Sequence, residues 1–306
     1  MELSIDLVYL WVDGNDPKWL EKKNRFMEEK ISTFGRYQDN QELKYSLRSI
    51  EKHLPWIRKI FIVTDDQTPV FLDTSHPKIE IVHHSEIIPK KFLPTFNSRV
   101  IEYFMYKIPD LSEKFLYAND DMFVNSNLKP SFFFKKGKPI MRMKYYPILK
   151  YEIQMKKVLN LPINTYRLAI ENAYKLIKKK YNVFYPIIQH HNIDAFLKSD
   201  FKAVVEVVFK EELRSMFLNR FRRKTDIQRM LINYYAIATK KGILTYVGRK
   251  VSCRLRVHKT NYMDYITKYN PELFCLNDTE HATDIHRAQI EPFLKKMYPT
   301  KSTFEK

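Results

Sequence analysis

Glycine is scarce in this chain of 306 residues, at 5, and cysteine scarcer still, at 2. With so few glycines, neither GxGxxG nor GxxxxGK[ST] occurs, which excludes a phosphate site built as a glycine-rich cradle. Cys253 and Cys275 stand in no metal-ligand or redox spacing, so two ordinary buried thiols in a reducing, cytoplasmic setting are expected. No apolar run approaches the length of a membrane span. The opening MELSIDLVYLWV enters a strand pattern directly, with no basic segment ahead of an apolar core, so no secretory leader is expected there. Internal repeats and low-complexity tracts are absent too.

What is present describes a folded, basic protein. Hydrophobic residues make up 44% and aromatics 14%, enough to build a sizeable core and to exclude a disordered chain. Lys and Arg number 53 against 35 Asp and Glu, a formal charge of +18 that attracts something anionic: nucleic acid, a lipid leaflet or phosphorylated substrates. Short basic clusters sit at Lys178 to Lys180 and Arg222 to Lys224.

The first half alternates strand and helix patterns. Strands are expected at Ile5 to Val12, Lys59 to Thr64, Ile79 to His83 and Lys114 to Ala118, each short, β-branched or aromatic and bounded by polar turns. Helical spacing of apolar residues marks Glu42 to His53 and Ser98 to Ile108. From about residue 150 the patterning turns helical and more basic: Thr165 to Lys180, Asp200 to Phe221, a helix from Thr225 to Lys241 opened by a Thr225-x-x-Gln228 capping box and closed before Gly242, and Asp284 to Met297. The expected fold is α/β and Rossmann-like, a largely parallel sheet in residues 1–150 with a mainly helical C-terminal subdomain, 151–306, folded over the sheet edge as one compact unit.

Three expected strands end in acidic turns: WVDGNDP, VTDD and ANDD. Asp120 and Asp121 admit two readings, a plain turn or a hard-oxygen site for Mg²⁺ or Mn²⁺. Ligands of open parallel sheets bind beyond the carboxyl ends of the strands, and three acidic ends on one edge favour the site. RFRRKTDIQ, residues 220–228, sets arginines before a helix start, suited to phosphate or else a solvated basic turn, with Asp226 a dipole partner, a ligand or an orienting group. QHHNID offers His191 as a proton acceptor or a surface histidine, and FCLNDTEH places Asn277 and Asp278 after another apolar run.

Taken in order, IDLVYLWVDGNDP, ELKYSLRSIEKHLPWIRKIFIVTDDQTP, FNSRVIEYFMYKIPDLSEKFLYANDDMF, HHNIDAF with RFRRKTDIQ, and CLNDTEHATDIHRAQIEPFLKKMYP resemble the Stealth family of sugar-phosphate transferases. The likeness covers most of the chain, with about residues 139–188 outside it. It implies transfer of a hexose-1-phosphate, N-acetylhexosamine-1-phosphate in particular, from a UDP-sugar to a glycan or lipid-linked glycan hydroxyl. The product is a phosphodiester, UMP is released, and the pathway is capsule or exopolysaccharide synthesis.

By the same resemblance Asp13 and Gly14 belong to the nucleotide-site turn, and Asp120 and Asp121 are the Mg²⁺- or Mn²⁺-associated pair. His191 falls at the base and Arg222 at the phosphate-binding arginine. Asn97, Ser98, Arg99, Asp226, Asn277 and Asp278 fall in motifs implied to contact substrate. Two departures stand out: the family's His-x-Pro is His191, Asn192, Ile193 here, and its Asn-Ser-His has Arg99 in third place. Two other functions remain open at this point, a metal-dependent glycosyltransferase releasing UDP and a non-enzymatic basic binder of nucleic acid or membrane. Most of Phe61, Phe115, Phe123, Phe132 and Phe134 lie in strand-like runs and read as core, which argues against a nucleic-acid face. The basic Lys175 to Lys180 stretch is compatible with peripheral contact with an anionic inner leaflet.

Overall fold

The computed structural model describes residues 4–27 and 39–306. The first three residues of the opening stretch lie outside it. Four parallel strands, β1 (Ile5–Leu10), β2 (Ile60–Thr64), β3 (Ile79–His83) and β4 (Lys114–Asn119), form the main sheet in the order β3-β2-β1-β4. A fifth strand, Asp194–Leu197, closes the β4 edge and runs antiparallel to it, Tyr117 opposite Asp194. These strands read as nearly unbroken apolar runs because both faces of the sheet are covered. Leu7 and Tyr9 pack to one side with Leu43, Leu47 and Ile50 of the helix Glu42–His53. Val8, pointing the other way, joins Val100, Tyr103 and Phe104 of the helix Ser98–Phe104.

Phe61, Phe115, Phe123 and Phe134 are buried, as their runs suggest, while Phe132 is only half-buried, and both cysteines are free and buried. Lys178 to Lys180 are exposed in the last turn of the helix Thr165–Tyr181, where cations complement the helix dipole.

The second half is less helical than its patterning suggests. Beyond the edge strand it contributes Ile187–Gln189, Ile243–Tyr246, Ser252–Arg256 and Leu273–Asn277. Ser252–Arg256 runs parallel to Leu273–Asn277, which pairs antiparallel with Met122–Val124 just after the acidic turn of β4. Strands this short, joined to partners far along the chain, leave no local periodicity strong enough to separate them from helix.

The helix expected from Thr225 begins only at Met230. Its capping box does not form, because the Gln228 amide donates to Gln189 Oε1 at 2.6 Å and its oxygen accepts from Met230 N. The C-terminal turn is left-handed at Lys240, φ 60°, and not at Gly242. A Cβ on Gly242 would lie 3.2 Å from Ala236 Cβ, so that glycine serves close packing. Asp284 to Met297 divides into two helices, Asp284–Arg287 and Ile290–Met297.

Candidate active site

Because β1 to β4 are parallel, their carboxyl ends share one edge: Asp13 and Gly14 follow β1, Asp65 and Asp66 follow β2, and Asp120 and Asp121 follow β4. The antiparallel edge strand delivers its start to that same edge, bringing His190, His191 and Asn192 with it. His191 Nε2 consequently lies 3.2 Å from Asp121 Oδ2, across 70 positions of sequence. Burial opposes charging of the His191 imidazole, but the Asp121 carboxylate overrides it and holds the ring above its ordinary basicity. Asp121 Oδ1 is buried with no partner, and its backbone carbonyl accepts from Leu276 N at 2.9 Å.

Asp120 is held well above the usual carboxylate range, first by burial, then by the charges of Glu42, Asp121 and Asp39. Glu42 itself is pushed up to about 8, chiefly by burial. Asp120 and Asp121 form a turn between two strands, in which Asp121 N donates to Asp120 Oδ1 at 3.2 Å. Two adjacent carboxylates with an orphaned oxygen, pressed together by further acids, fit a hard cation: Mg²⁺ takes one or two protein carboxylates and fills its shell with water and phosphate. Among the described residues no group of three or more His, Cys, Asp or Glu forms a ready-made cage.

Two depressions meet over this edge. The smaller, about 170 Å³, is walled by Trp11, Trp19, His84 and Phe96, and Asp120 and Arg222 line it. The larger, about 1110 Å³, runs past His191 and Asn277 and is rich in cations, among them Arg167, Arg229, Arg249, Arg254 and Lys259. Ser98, Asn119 and Arg222 line both, and Arg222 Nη2 donates to Ser98 Oγ at 2.6 Å. Arg222 thus stands where the two spaces join.

Not every motif residue faces that space. Asp226 is wholly buried: its carboxylate accepts from Asn97 Nδ2, Arg99 Nη1, Asn219 Nδ2 and Arg223 N at 2.8–3.0 Å. In this arrangement Asp226 orients the arginine-bearing segment, and neither Asp226 nor Asn97 is among the residues that line the two clefts. Arg99 lines the larger cleft but commits Nη1 to Asp226. Asp278 is held by Arg287 through Nε at 2.7 Å and Nη2 at 3.3 Å, whereas Asn277 lines the larger cleft. The Asp13 carboxylate accepts from Asn15 N at 2.8 Å, its backbone is clamped by Gln67, and Gly14 is buried. Asn192 is buried and donates to Ser252 Oγ at 2.6 Å, and Ile193, which stands where the family has proline, is buried as well.

Several site residues escape a reading of motifs. Glu42 and Asp39 carry no local signature. Arg229, buried against Asp194 at 3.1 Å and Glu102 at 3.4 Å, resembles any helix-entry arginine in sequence. The one available signal is SCRLR, whose alternation puts Arg254 and Arg256 on one face of a strand.

Residues 4–30 match the pattern described as Stealth protein CR1, conserved region 1, and residues 36–141 match Stealth protein CR2, conserved region 2. The chain is 36% identical to a capsular polysaccharide phosphotransferase of Haemophilus influenzae, fcs1, over 92% of this chain and 80% of the relative. It is 34% identical to a capsular polysaccharide phosphotransferase of Neisseria meningitidis serogroup B over 90% and 77%. With WcwK of Streptococcus pneumoniae, also a capsular polysaccharide phosphotransferase, identity is 32% over 99% of each chain. Among solved structures, the galactosyltransferase LgtC, in complex with donor and acceptor sugar analogs, aligns over 97% of this chain and 96% of its own at 14% identity and TM-score 0.47.

Proposed function

The chain belongs to the Stealth family and is a phosphotransferase, and from that membership we propose that it moves a hexose-1-phosphate, an N-acetylhexosamine-1-phosphate in particular, from a UDP-sugar to a glycan hydroxyl in capsule or exopolysaccharide synthesis. The observation that supports this reading most directly is the His191–Asp121 contact at the carboxyl edge of the sheet, beside Arg222 at the junction of two clefts.

In this reading the aromatic pocket of Trp11, Trp19 and Phe96 takes the uracil ring. The donor's diphosphate lies over Asp120 and Arg222, and the acceptor glycan occupies the larger cleft. A divalent cation, Mg²⁺ or Mn²⁺, held by Asp120 and the orphaned Asp121 Oδ1 would supply charge neutralisation on the diphosphate.

The chain's own groups do the rest. An acceptor oxygen bonds to the β-phosphorus, the bond from that phosphorus to the bridging oxygen breaks, and UMP leaves with the electron pair. The hydroxyl proton passes to His191 Nδ1, while Nε2–H stays on Asp121, which stabilises the imidazolium. Arg222 holds the transferred phosphate from the side, and Ser98 fixes its guanidinium. Catalysis of this kind is mostly positioning and charge neutralisation, which suits a site with no candidate covalent nucleophile assigned.

The released nucleotide tests the proposal. With a UDP-N-acetylhexosamine donor and a glycan acceptor, UMP should accumulate and the product should carry the phosphate. Accumulation of UDP with a phosphate-free product would mean that the sugar C1–O bond breaks instead, and the reading would fail.

A further inference from the structure

Past Lys144 on the wall of the larger cleft, the chain enters a stretch whose apolar groups are distributed in an uncommon way. The helix Leu149–Val158 buries Leu149, Glu152 and Ile153 against the protein. Its outer surface is not simply polar. Tyr151 is 52% exposed, Met155 50%, Val158 76% and the following Leu159 61%. Ile148, Tyr151, Met155 and Val158 recur at steps of three and four, the spacing of one helix face, so the helix carries a second apolar stripe directed away from the core. Single exposed apolar residues are ordinary, but a continuous stripe on one short helix is a surface that something covers.

Charge selects what covers it. Lys144, Lys150 and Lys157 are exposed around the stripe and Lys156 is half-buried. The one acid of this segment, Glu152, is buried and engaged by Lys156 at 3.1 Å and Arg167 at 3.6 Å. The outer face therefore presents positive charge and no exposed carboxylate. A second copy of a +18 chain would set like charge against it, whereas an anionic leaflet supplies the opposite sign. Tyr145 and Tyr246, both exposed, meet edge to face at 5.7 Å just ahead of the helix. Tyrosine favours the lipid–water boundary, and lysine stems lie along apolar surface while their ammonium groups reach headgroups.

We propose that the helix Leu149–Val158, with Tyr145, Tyr246 and Leu159 at its margins, is an in-plane docking element for an anionic lipid leaflet. Lys144, Asn164 and Arg167 flank this element and also line the larger cleft, so docking sets the cleft mouth against the leaflet surface. Its purpose rests on the polysaccharide reading above, since a lipid-anchored glycan then reaches the cleft without leaving the membrane; the docking itself does not depend on that reading.

The test is co-sedimentation of the full chain with phosphatidylcholine vesicles, with and without about one-third phosphatidylglycerol. The wild-type chain should partition onto the anionic vesicles and not onto phosphatidylcholine alone. The triple variant Met155→Glu, Val158→Glu, Leu159→Glu should lose at least about tenfold in partitioning. Its melting temperature should stay unchanged, since all three side chains face outward. Lys150→Glu with Lys157→Glu should weaken binding as well, more at low salt than at high. Unaltered vesicle binding by the triple variant overturns the proposal. So does equal binding to both vesicle types, or a wild-type dimer that the triple variant splits, which would give the stripe to a second copy. None of these outcomes depends on which nucleotide is released, so this inference and the phosphotransfer reading fail separately.

Discussion

At the scale of single residues the assigned roles make separable predictions. His191→Ala removes the proton acceptor and should lower kcat on the order of 10²- to 10³-fold, with little change in the KM for donor. Turnover within a few-fold of wild type would take His191 out of the base role. Asp120 behaves differently because the fold holds it among like charges. Burial and the carboxylates of Glu42, Asp121 and Asp39 all disfavour its ionised form. Asp120→Asn relieves that repulsion, so with divalent cations chelated the variant should melt at a higher temperature than wild type, by about 1.5 °C per kcal/mol gained, while turnover collapses. A variant that melts lower would show that the carboxylate is stabilising and that the acidic cluster is not strained.

At the scale of elements, the segment between Met216 and Met230 is built around one buried carboxylate. Asp226 draws Asn97 and Arg99 from the helix start at Ser98 to Asn219 and Arg223 on the arginine segment. Asp226→Ala leaves Arg99 buried without its partner and should cost about 3–5 kcal/mol of stability, read by chemical denaturation. A loss under about 1 kcal/mol would mean that water satisfies Arg99.

The end of β3 carries a pH dependence. Burial holds the His84 imidazole down at about 4, against the pull of Asp65 3.6 Å away, while the unfolded chain titrates near 6.5. Below about 6.5 the unfolded state binds a proton that the native state refuses, so this contribution to stability is intact above that pH and is lost as pH falls toward 4. His84→Gln should therefore shrink the drop in melting temperature between about pH 7 and pH 5. An unchanged drop would show that water reaches the ring.

These elements also show how far sequence carries. β1 to β4 and the helix Glu42–His53 are legible because each is a local pattern buried on known faces. Asp120, Asp121 and His191 are legible as residue types at strand ends and in a familiar order of motifs. Their union is not, because it depends on an antiparallel edge strand from the second half. The part played by Asp226 is hidden for the same reason: three of its four partners bring side chains, and two of those come from more than 120 positions away.

At the scale of the whole molecule the two halves share their core. One face of the sheet, with Val8, Phe61, Phe115, Tyr117 and the edge strand's Phe196, is covered jointly by the helix Ser98–Phe104 and by Ile170, Phe201 and Leu231 from the second half. The opposite face takes Leu273, Cys275 and Phe304 from the C-terminal end. Residues 1–150 expressed alone would lose the edge strand beside β4, leaving its hydrogen-bonding groups open, and would expose apolar surface on both sides of the sheet. Burial of a single large aliphatic or aromatic side chain contributes about 1.5–3 kcal/mol, so losing even these few contacts exceeds the whole margin of a typical domain, about 5–15 kcal/mol. The fragment should therefore show no cooperative melting transition and should bind a hydrophobic dye, while the intact chain melts in one step. The active site follows the same logic: Asp120 and Asp121 come from the first half, His191 and Arg222 from the second, so adding the two halves in trans should restore transfer only if they also restore that single transition. A fragment that melts cooperatively by itself would instead make the first half an autonomous donor-binding domain, and the joint core a docking interface.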